Sequence, residues 1–318
     1  MKKLPVLSSL VLLVLLVGGS LVGCGGPAKD TAAWHLNQGS RLADQGHYDE
    51  AIEEFTKAIE LDPNLVESYM NRAGVYGTIG QYDLALADSN KAIELDPNLP
   101  QAYVNRGLAY YGMGQYDLAL ADCNKAIKLS PYAAMAYVSR AGLHGEMGQY
   151  DLAIADCNKA IELDPDLAMA YVGRAGVYGI IGQYDLSLAD SNKAIELDPN
   201  LPEAYSNRAA GYFRKGQSDL AISDCNKAIE LDPNFAQTYR TRALIYADTG
   251  QYDLAIADCN KAVELEPNFA QTYVTRALVY AGMGQYDLAI ADCKRIIQMS
   301  QNPHLVNLAR DLIQEWGQ

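Results

Sequence analysis

Positive charge is scarce in this chain. Its 318 residues hold 25 lysines and arginines against 39 aspartates and glutamates, a formal net charge of −14 at pH 7. A surface of that sign is repelled by phosphate backbones, which argues against nucleic-acid binding. Histidine is as sparse: His35, His47, His144 and His304 are scattered, and none belongs to an H-E-x-x-H pair. No P-loop, G-x-S-x-G elbow or EF-hand loop occurs. The acidic residues that abound recur with a fixed period, as structural residues do. The expectation is a protein that is not an enzyme and holds no metal and no other cofactor. The hydrophobic share of 49% is ordinary for a globular chain and argues against disorder.

At the N-terminus Lys2 and Lys3 precede an apolar run from Leu10 to Val17, loosened by Gly18, Gly19 and Ser20 before Leu21-Val22-Gly23-Cys24. This is the charged, apolar and small-residue order of an export signal. The last four residues resemble the bacterial lipobox. That resemblance implies a signal peptide over 1–23, cleavage after Gly23, and acyl chains such as palmitate on Cys24. Residues 24–31, with Gly25, Gly26 and Pro27, then form a short tether. An uncleaved anchor over Leu4–Val22 competes with this reading, weakened by Ser8, Ser9 and the Gly18-Gly19-Ser20 stretch. Both readings place the protein on the extracytoplasmic face of a bacterial membrane, inner or outer.

Beyond the tether the chain repeats itself. The turn Gly80-Gln81-Tyr82-Asp83 recurs every 34 residues, as at Gly114, Gly148, Gly182, Gly250 and Gly284, with variants at Gly46-His47-Tyr48-Asp49 and Gly216-Gln217-Ser218-Asp219. Eight copies result: 32–65, 66–99, 100–133, 134–167, 168–201, 202–235, 236–269 and 270–303. Within 66–99, Tyr69, Arg72, Ala73 and Tyr76 mark one face of a first helix that Gly80 ends. Asp83 is expected to cap a second helix bearing Leu84, Ala85, Ala92, Ile93 and Leu95, which Asp96-Pro97-Asn98 breaks; Asn98 is expected to cap the next.

The period, the helix-turn-helix pattern, the small and aromatic spacing and the terminal proline identify the repeats as similar to the tetratricopeptide repeat family. The resemblance implies an all-α, right-handed superhelical solenoid of eight repeats whose concave surface binds peptides or protein segments. Some positions depart from the pattern. Cys or Ser replaces a bulky second-helix residue in all copies but the first, which has Phe55; Ser187 and Ile296 replace small alanines; and Pro303 falls two residues late. Residues 304–318 form a last helix whose Leu305, Leu308, Ala309, Leu312 and Trp316 make one stripe, suited to cover the edge of the final repeat.

Most residues with chemical potential fit packing roles. Twenty of the 22 tyrosines sit at three recurring sites, as aromatic core residues do. Cys123, Cys157, Cys225, Cys259 and Cys293 share one site in different copies. Equivalent sites on stacked hairpins lie ~10 Å apart, beyond the ~7 Å reach of a disulfide, so these read as buried thiols. Arg72, Arg106, Arg140, Arg174, Arg208, Arg242 and Arg276 are expected to pair with Asp88, Asp122, Asp156, Asp190, Asp224, Asp258 and Asp292 in their own copies, with Gln38 and Glu54 as a neutral–acid version.

Mapped through the resemblance, the concave face carries Met70, Gly74 and Gly77, then Val138, Gly142 and Gly145, then Val172, Gly176 and Gly179. Repeated mid-helix glycine costs ~1 kcal/mol each relative to alanine, which reads either as a smooth floor for a partner chain or as an unconstrained exposed face. Phe213, Arg214 and Arg240 form a candidate cationic, aromatic spot for a carboxylate or phosphate, with solvated arginines as the plainer reading. The carboxylate clamp of chaperone-binding relatives is absent, because Leu36, Ser40, Gln101 and Asn105 do not match it and only Asn71 does. Two functions follow. One is a non-enzymatic, lipid-tethered adaptor for protein or peptide segments of the cell envelope. The other is a structural spacer or self-associating solenoid.

Overall fold

A computed structural model describes residues 27–300 and 302–317, so the leader and Cys24 lie outside the described residues. Among the described residues there are 17 α-helices and no strand. The chain divides into two compact units, one ending at Ala170 and the other beginning at Tyr171. The first holds four hairpins: α1 (Ala32–Asp44) with α2 (Tyr48–Leu61), α3 (Val66–Thr78) with α4 (Tyr82–Leu95), α5 (Pro100–Gly112) with α6 (Tyr116–Leu129), and α7 (Ala134–Glu146) with α8 (Tyr150–Leu163). The boundary falls within α9 (Ala168–Ile180). The second unit continues with α10 (Tyr184–Leu197), α11 (Pro202–Arg214), α12 (Ser218–Leu231), α13 (Ala236–Asp248), α14 (Tyr252–Leu265), α15 (Ala270–Gly282), α16 (Tyr286–Met299) and α17 (Pro303–Trp316). Within each unit the helices of a hairpin pack together and each second helix packs on the next first helix, as in an all-α solenoid.

The turn inside each hairpin is set by one glycine. Gly80 sits at φ 76°, and its seven counterparts lie between 72° and 81°, a left-handed conformation that side chains resist. The Gln81 amide then reaches back to the Tyr76 carbonyl at 2.8 Å, closing the first helix. Gln81 is also the residue from which the second helix starts, so Asp83 lies inside the first turn and caps nothing. Its charge still opposes the positive end of the helix. Likewise Leu99, not Asn98, precedes α5; the Asn98 amide donates to Asp96 Oδ1 at 2.8 Å, folding the connecting turn on itself. Tyrosine hydroxyls fasten these turns: Tyr103 Oη donates to the Pro97 carbonyl at 3.1 Å, and Tyr137, Tyr205, Tyr239 and Tyr273 do the same to their own prolines.

Small residues set the spacing of paired helices. Ala73, Ala85 and Ala92 are buried, as are the five recurring cysteines, which are free thiols. Burial pushes Cys123 and Cys259 up to about 12, so these thiols are unreactive apolar fillers at neutral pH. Ser187 is buried too, and its hydroxyl donates to the Ala175 carbonyl at 2.8 Å. At the chain end, α17 lays Leu305, Leu308, Leu312, Ile313 and Trp316 against a cluster that includes Val274, Ala277 and the fully buried Ile296. The helix begins at Pro303, one residue earlier than expected, because Asn302 accepts from the His304 amide at 2.9 Å and fixes the start there.

The first copy solves the spacing problem differently. Phe55 is fully buried where the other copies carry cysteine or serine, and a Cβ on Gly39 would stand 2.6 Å from Phe55 Cε1. Glycine is thus the residue that admits the ring. Gly39→Ala is expected to destabilise the chain by ~1–3 kcal/mol despite alanine's better helix propensity. Adding Phe55→Cys, which restores the alanine–cysteine pairing of the other copies, should recover part of that loss. A double-mutant cycle by urea denaturation that is additive would refute the size coupling.

Candidate functional site

A recurring arginine anchors seven of the eight copies. Arg106 Nε and Nη2 donate to Asp122 Oδ2 and Oδ1, each at 2.7 Å, a bidentate pair between α5 and α6. The same bidentate geometry joins Arg72–Asp88, Arg140–Asp156, Arg174–Asp190, Arg208–Asp224, Arg242–Asp258 and Arg276–Asp292. The remaining guanidinium nitrogen leaves the hairpin. Arg106 Nη1 donates to Asn90 Oδ1 of the preceding copy at 2.9 Å, Arg140 to Asn124 at 2.7 Å, Arg208 to Asn192 at 2.9 Å and Arg276 to Asn260 at 2.8 Å. Arg72 uses Thr56 in that role. Only the intra-copy half of this junction is legible in the sequence. The first copy lacks it: Gln38 accepts from Arg41, and Glu54 binds His35 and Lys57, so the expected Gln38–Glu54 contact is not formed. His35 Nδ1, 2.7 Å from Glu54 Oε2, takes the place that an arginine would fill.

The first-helix face that was expected to be open is largely closed. Val138, Gly142, Gly145 and Val172 are buried, as is Gly74, while Met70, Gly77, Gly176 and Gly179 are half-buried. At two of these sites the next first helix accounts for the closure: Asn105 Nδ2 donates to the Met70 carbonyl at 2.8 Å and Asn207 Nδ2 to the Val172 carbonyl at 3.1 Å. A Cβ on Gly176 would stand 3.7 Å from that Asn207 amide nitrogen, an ordinary van der Waals distance, so the approach of the two helices leaves room for alanine there. Gly77 has open space beside it. Val138, Gly142 and Val172 are therefore packing residues, not ligand contacts.

Of the cationic spot, Arg214 and Phe213 come together, with Arg214 Cζ 6.0 Å from the Phe213 ring centroid, but Arg240 does not join them. Arg240 is 7% exposed, pairs with Glu266 Oε2 at 2.6 Å and stacks 4.3 Å above the Phe269 ring. Its charge is spent inside the protein. Phe213 packs against Ala209, Ala221, Cys225 and Ile245, and only Arg214 reaches solvent. Lys215 beside it is paired with Asp185.

One half-buried and one buried acid were missed in the sequence. Glu146, at the end of α7, is wedged beside Tyr111, whose hydroxyl donates to Glu146 Oε1 at 3.3 Å, with the Tyr116 ring alongside. Burial pushes its carboxyl up to about 7, and the Tyr111 hydrogen bond only partly opposes this. Glu203, in the first turn of α11, is 8% exposed and is pushed up to about 7 by burial, with Asp232 and Asp198 adding repulsion and its own backbone amide lowering it in part. One turn on, the Ser206 hydroxyl is buried without a hydrogen-bond partner. They leave little signal in the sequence: the place of Glu146 varies freely between copies, and the place of Glu203 carries Gln or Met in five of them but the exposed Glu67 in another.

Family models described as tetratricopeptide repeat match residues 100–132, 134–167, 202–235, 236–269 and 270–303, and one described as TPR repeat matches 39–80, 78–114 and 177–216. The chain belongs to the tetratricopeptide repeat family. A subunit in the crystal structure of the APC/C hetero-tetramer Cut9-Hcn1 is similar to 89% of the chain, with a TM-score of 0.76 and 20% identity. The chain spans 55% of that subunit's length. A tetratricopeptide repeat protein from Parabacteroides merdae is similar over 78% of the chain and 98% of its own, with a TM-score of 0.59 and 23% identity. At these identities the likeness shows the fold. No curated protein sequence matches the chain. Tetratricopeptide folds are in general non-enzymatic scaffolds for protein interaction, and no helix among the described residues is long and apolar enough to cross a membrane.

Two outcomes follow for this tetratricopeptide frame. Asp122→Ala strands a largely buried guanidinium and should cost ~3 kcal/mol, whereas Asn90→Ala, which removes one link of the same arginine, should cost ~1 kcal/mol. Equal losses in urea denaturation would contradict the hierarchy. For Glu146 and Glu203, folded values near 7 exceed the ordinary 4.5, so the folded state binds more protons between those values. Their contribution to stability is complete below about 4.5 and lost as pH rises through about 7. Glu146→Gln should flatten the fall of stability over that window; an unchanged slope would contradict it.

Proposed function

We propose that this chain is a lipid-tethered adaptor that holds an envelope protein or peptide near the membrane. One observation carries the reading. The second helices repeat almost residue for residue, while an exposed position near the end of the first helices changes from copy to copy, as in Thr78, Gly112, Arg214 and Asp248. A frame that repeats while one face varies suits recognition of a non-repeating protein segment. The order of residues around Cys24 supports the tether, and the acidic balance speaks against a nucleic-acid partner.

A second reading, the self-associating array, has an observation of its own. Leu84, Leu118, Leu152, Leu186, Leu220, Leu254 and Leu288 recur once per copy, each 47–51% exposed. Such a row of half-bare leucines suits contact with another repeating surface.

Metabolic labelling with palmitate tests the tether. The wild-type chain should incorporate label and sediment with membranes, and Cys24→Ser should abolish the label; label retained in that variant rejects it. Capture from detergent-solubilised envelope by protein beginning at Gly25 tests the adaptor. A saturable partner that survives Leu152→Asp supports the adaptor. Recovery of the chain mainly with itself, lost in Leu152→Asp, supports the array instead.

A further inference from the structure

Of the 22 tyrosines, Tyr111 and Tyr132 alone stand outside the three recurring sites, and both belong to the junction between the third and fourth copies. Tyr111 takes a place that holds glycine at Gly77, Gly145 and Gly179. In the next copy Glu146 takes a place that holds glycine at Gly112 and Gly282. The two departures meet. The Tyr111 hydroxyl donates to Glu146 Oε1 at 3.3 Å and ties the end of α5 to the end of α7. Elsewhere the glycine makes room for a ring: a Cβ on Gly112 would stand 2.3 Å from Tyr82 Cζ. Tyr116, the counterpart of Tyr82 one copy on, meets a glutamate side chain instead. It is 38% exposed and tilts 46° against the Tyr111 ring, with centroids 5.8 Å apart. The same junction lacks a fastening that others have. Asp62, Asp96, Asp164, Asp198 and Asp232 each accept from the backbone amide two residues on, closing the turn between copies. Ser130 stands at that place here, and among the described residues no such bond forms; Tyr132 beyond it is 83% exposed.

The groups that face Glu146 are phenols: Tyr111 of α5, Tyr116 of α6 and, beside Tyr111, Tyr82 of α4. Burial holds Tyr111 and Tyr116 above the ordinary phenol range, so neither ionises along with it. No cation of the described residues faces the carboxyl to hold its charge in place. On α7 itself His144 is engaged elsewhere, with Nδ1 2.6 Å from Gln149 Oε1 and Nε2 3.7 Å from Asp156 Oδ2. One proton therefore decides whether the carboxyl can stay between the two copies, because an ionised carboxylate in that place forgoes hydration without gaining a counter-charge. We propose that the junction of the third and fourth copies is a pH-operated hinge, held while Glu146 carries its proton and loosened when the carboxylate turns out to water. The hinge goes beyond the adaptor reading and does not depend on it, since a chain without a partner would show it too. In the closed junction the carboxyl is pushed up to about 7, against the ordinary 4.5 it regains when hydrated. The open form should therefore gain about tenfold per pH unit between those two values and level off above the higher one.

The test is amide hydrogen exchange of the full chain, read by mass spectrometry and corrected for the intrinsic pH dependence of exchange. From about pH 5 to about pH 7 the protection of the ends of α5 and α7 should fall about tenfold per unit. The ends of α13 and α15, where Asp248 and Gly282 hold the place of Glu146, should keep level protection over the same range. Glu146→Gln keeps the shape of the protonated acid and should abolish the fall. Tyr111→Phe removes a hydrogen bond that lowers the Glu146 value, so the point at which protection levels off should move to higher pH. A contact that was only structural would leave that point where it is, and this reading stays decisive even where Glu146→Gln does not fold. Level protection of α5 and α7 in the wild type would overturn the hinge. So would a fall of the same size in folded Glu146→Gln, an equal fall at the ends of α13 and α15, or an unmoved levelling point in Tyr111→Phe.

Discussion

The rest of the structure depends on one guanidinium per copy. Its planar fork offers two parallel N–H groups to the aspartate of its own hairpin and points a third at the preceding copy, so hairpin geometry and stacking geometry are set by one side chain. Tyrosine rings on either side complete its surroundings, with Arg106 Cζ 5.4 Å from the Tyr103 centroid and 6.0 Å from that of Tyr110. The energy of such a part-buried pair over a well-packed apolar substitute is small. Its value is directional: a lysine would keep the charge and lose the second and third contacts. That is a reason for arginine, and not lysine, in all seven copies.

A relay of this kind needs ends. At the start, Gln38 replaces the arginine, and the acid Glu54 is satisfied by His35 and Lys57, so no half-made junction faces outward. At the finish, Lys294 stands where the other second helices carry the accepting asparagine or threonine, and α17 starts one residue early. Arg310 is therefore shifted out of register and exposed, while Ala309 is buried against the last hairpin. Among the described residues the cap joins by apolar contact. Ile296, too large for an interior copy, fits there because a different helix covers it.

Period, turns and cap were legible because each is written locally. A glycine with positive φ, a proline-centred break and a stripe at helical spacing need no knowledge of distant residues. The open face was not legible for the opposite reason. Helical periodicity says which residues share a side, but whether Met70 or Val172 on that side is bare depends on how closely the next first helix approaches, and Asn105 and Asn207 draw it in. The exchange of Gly39 for alanine and Phe55 for cysteine was written in two residues 16 apart whose contact only the folded hairpin reveals. Arg240 misled because its partner Glu266 lies 26 residues away, where an aspartate of the repeat pattern has lengthened by one methylene.

The two surfaces of this solenoid follow different logics, and the difference bears on what each can recognise. A contact made by a non-repeating partner differs at every copy, so the residues that specify it must differ too; the exposed first-helix ends at Thr78, Gly112, Arg214 and Asp248 have that character. A contact made by a periodic partner is the same at every copy. The seven leucines are identical in type and nearly identical in exposure, which fits a partner with the same 34-residue repeat. The proposed self-association through the leucines and the proposed segment binding on the first helices would thus use separate residues. Occupying one surface would leave the other's contacts intact, and a leucine substitution that abolished segment binding would show that they are coupled after all.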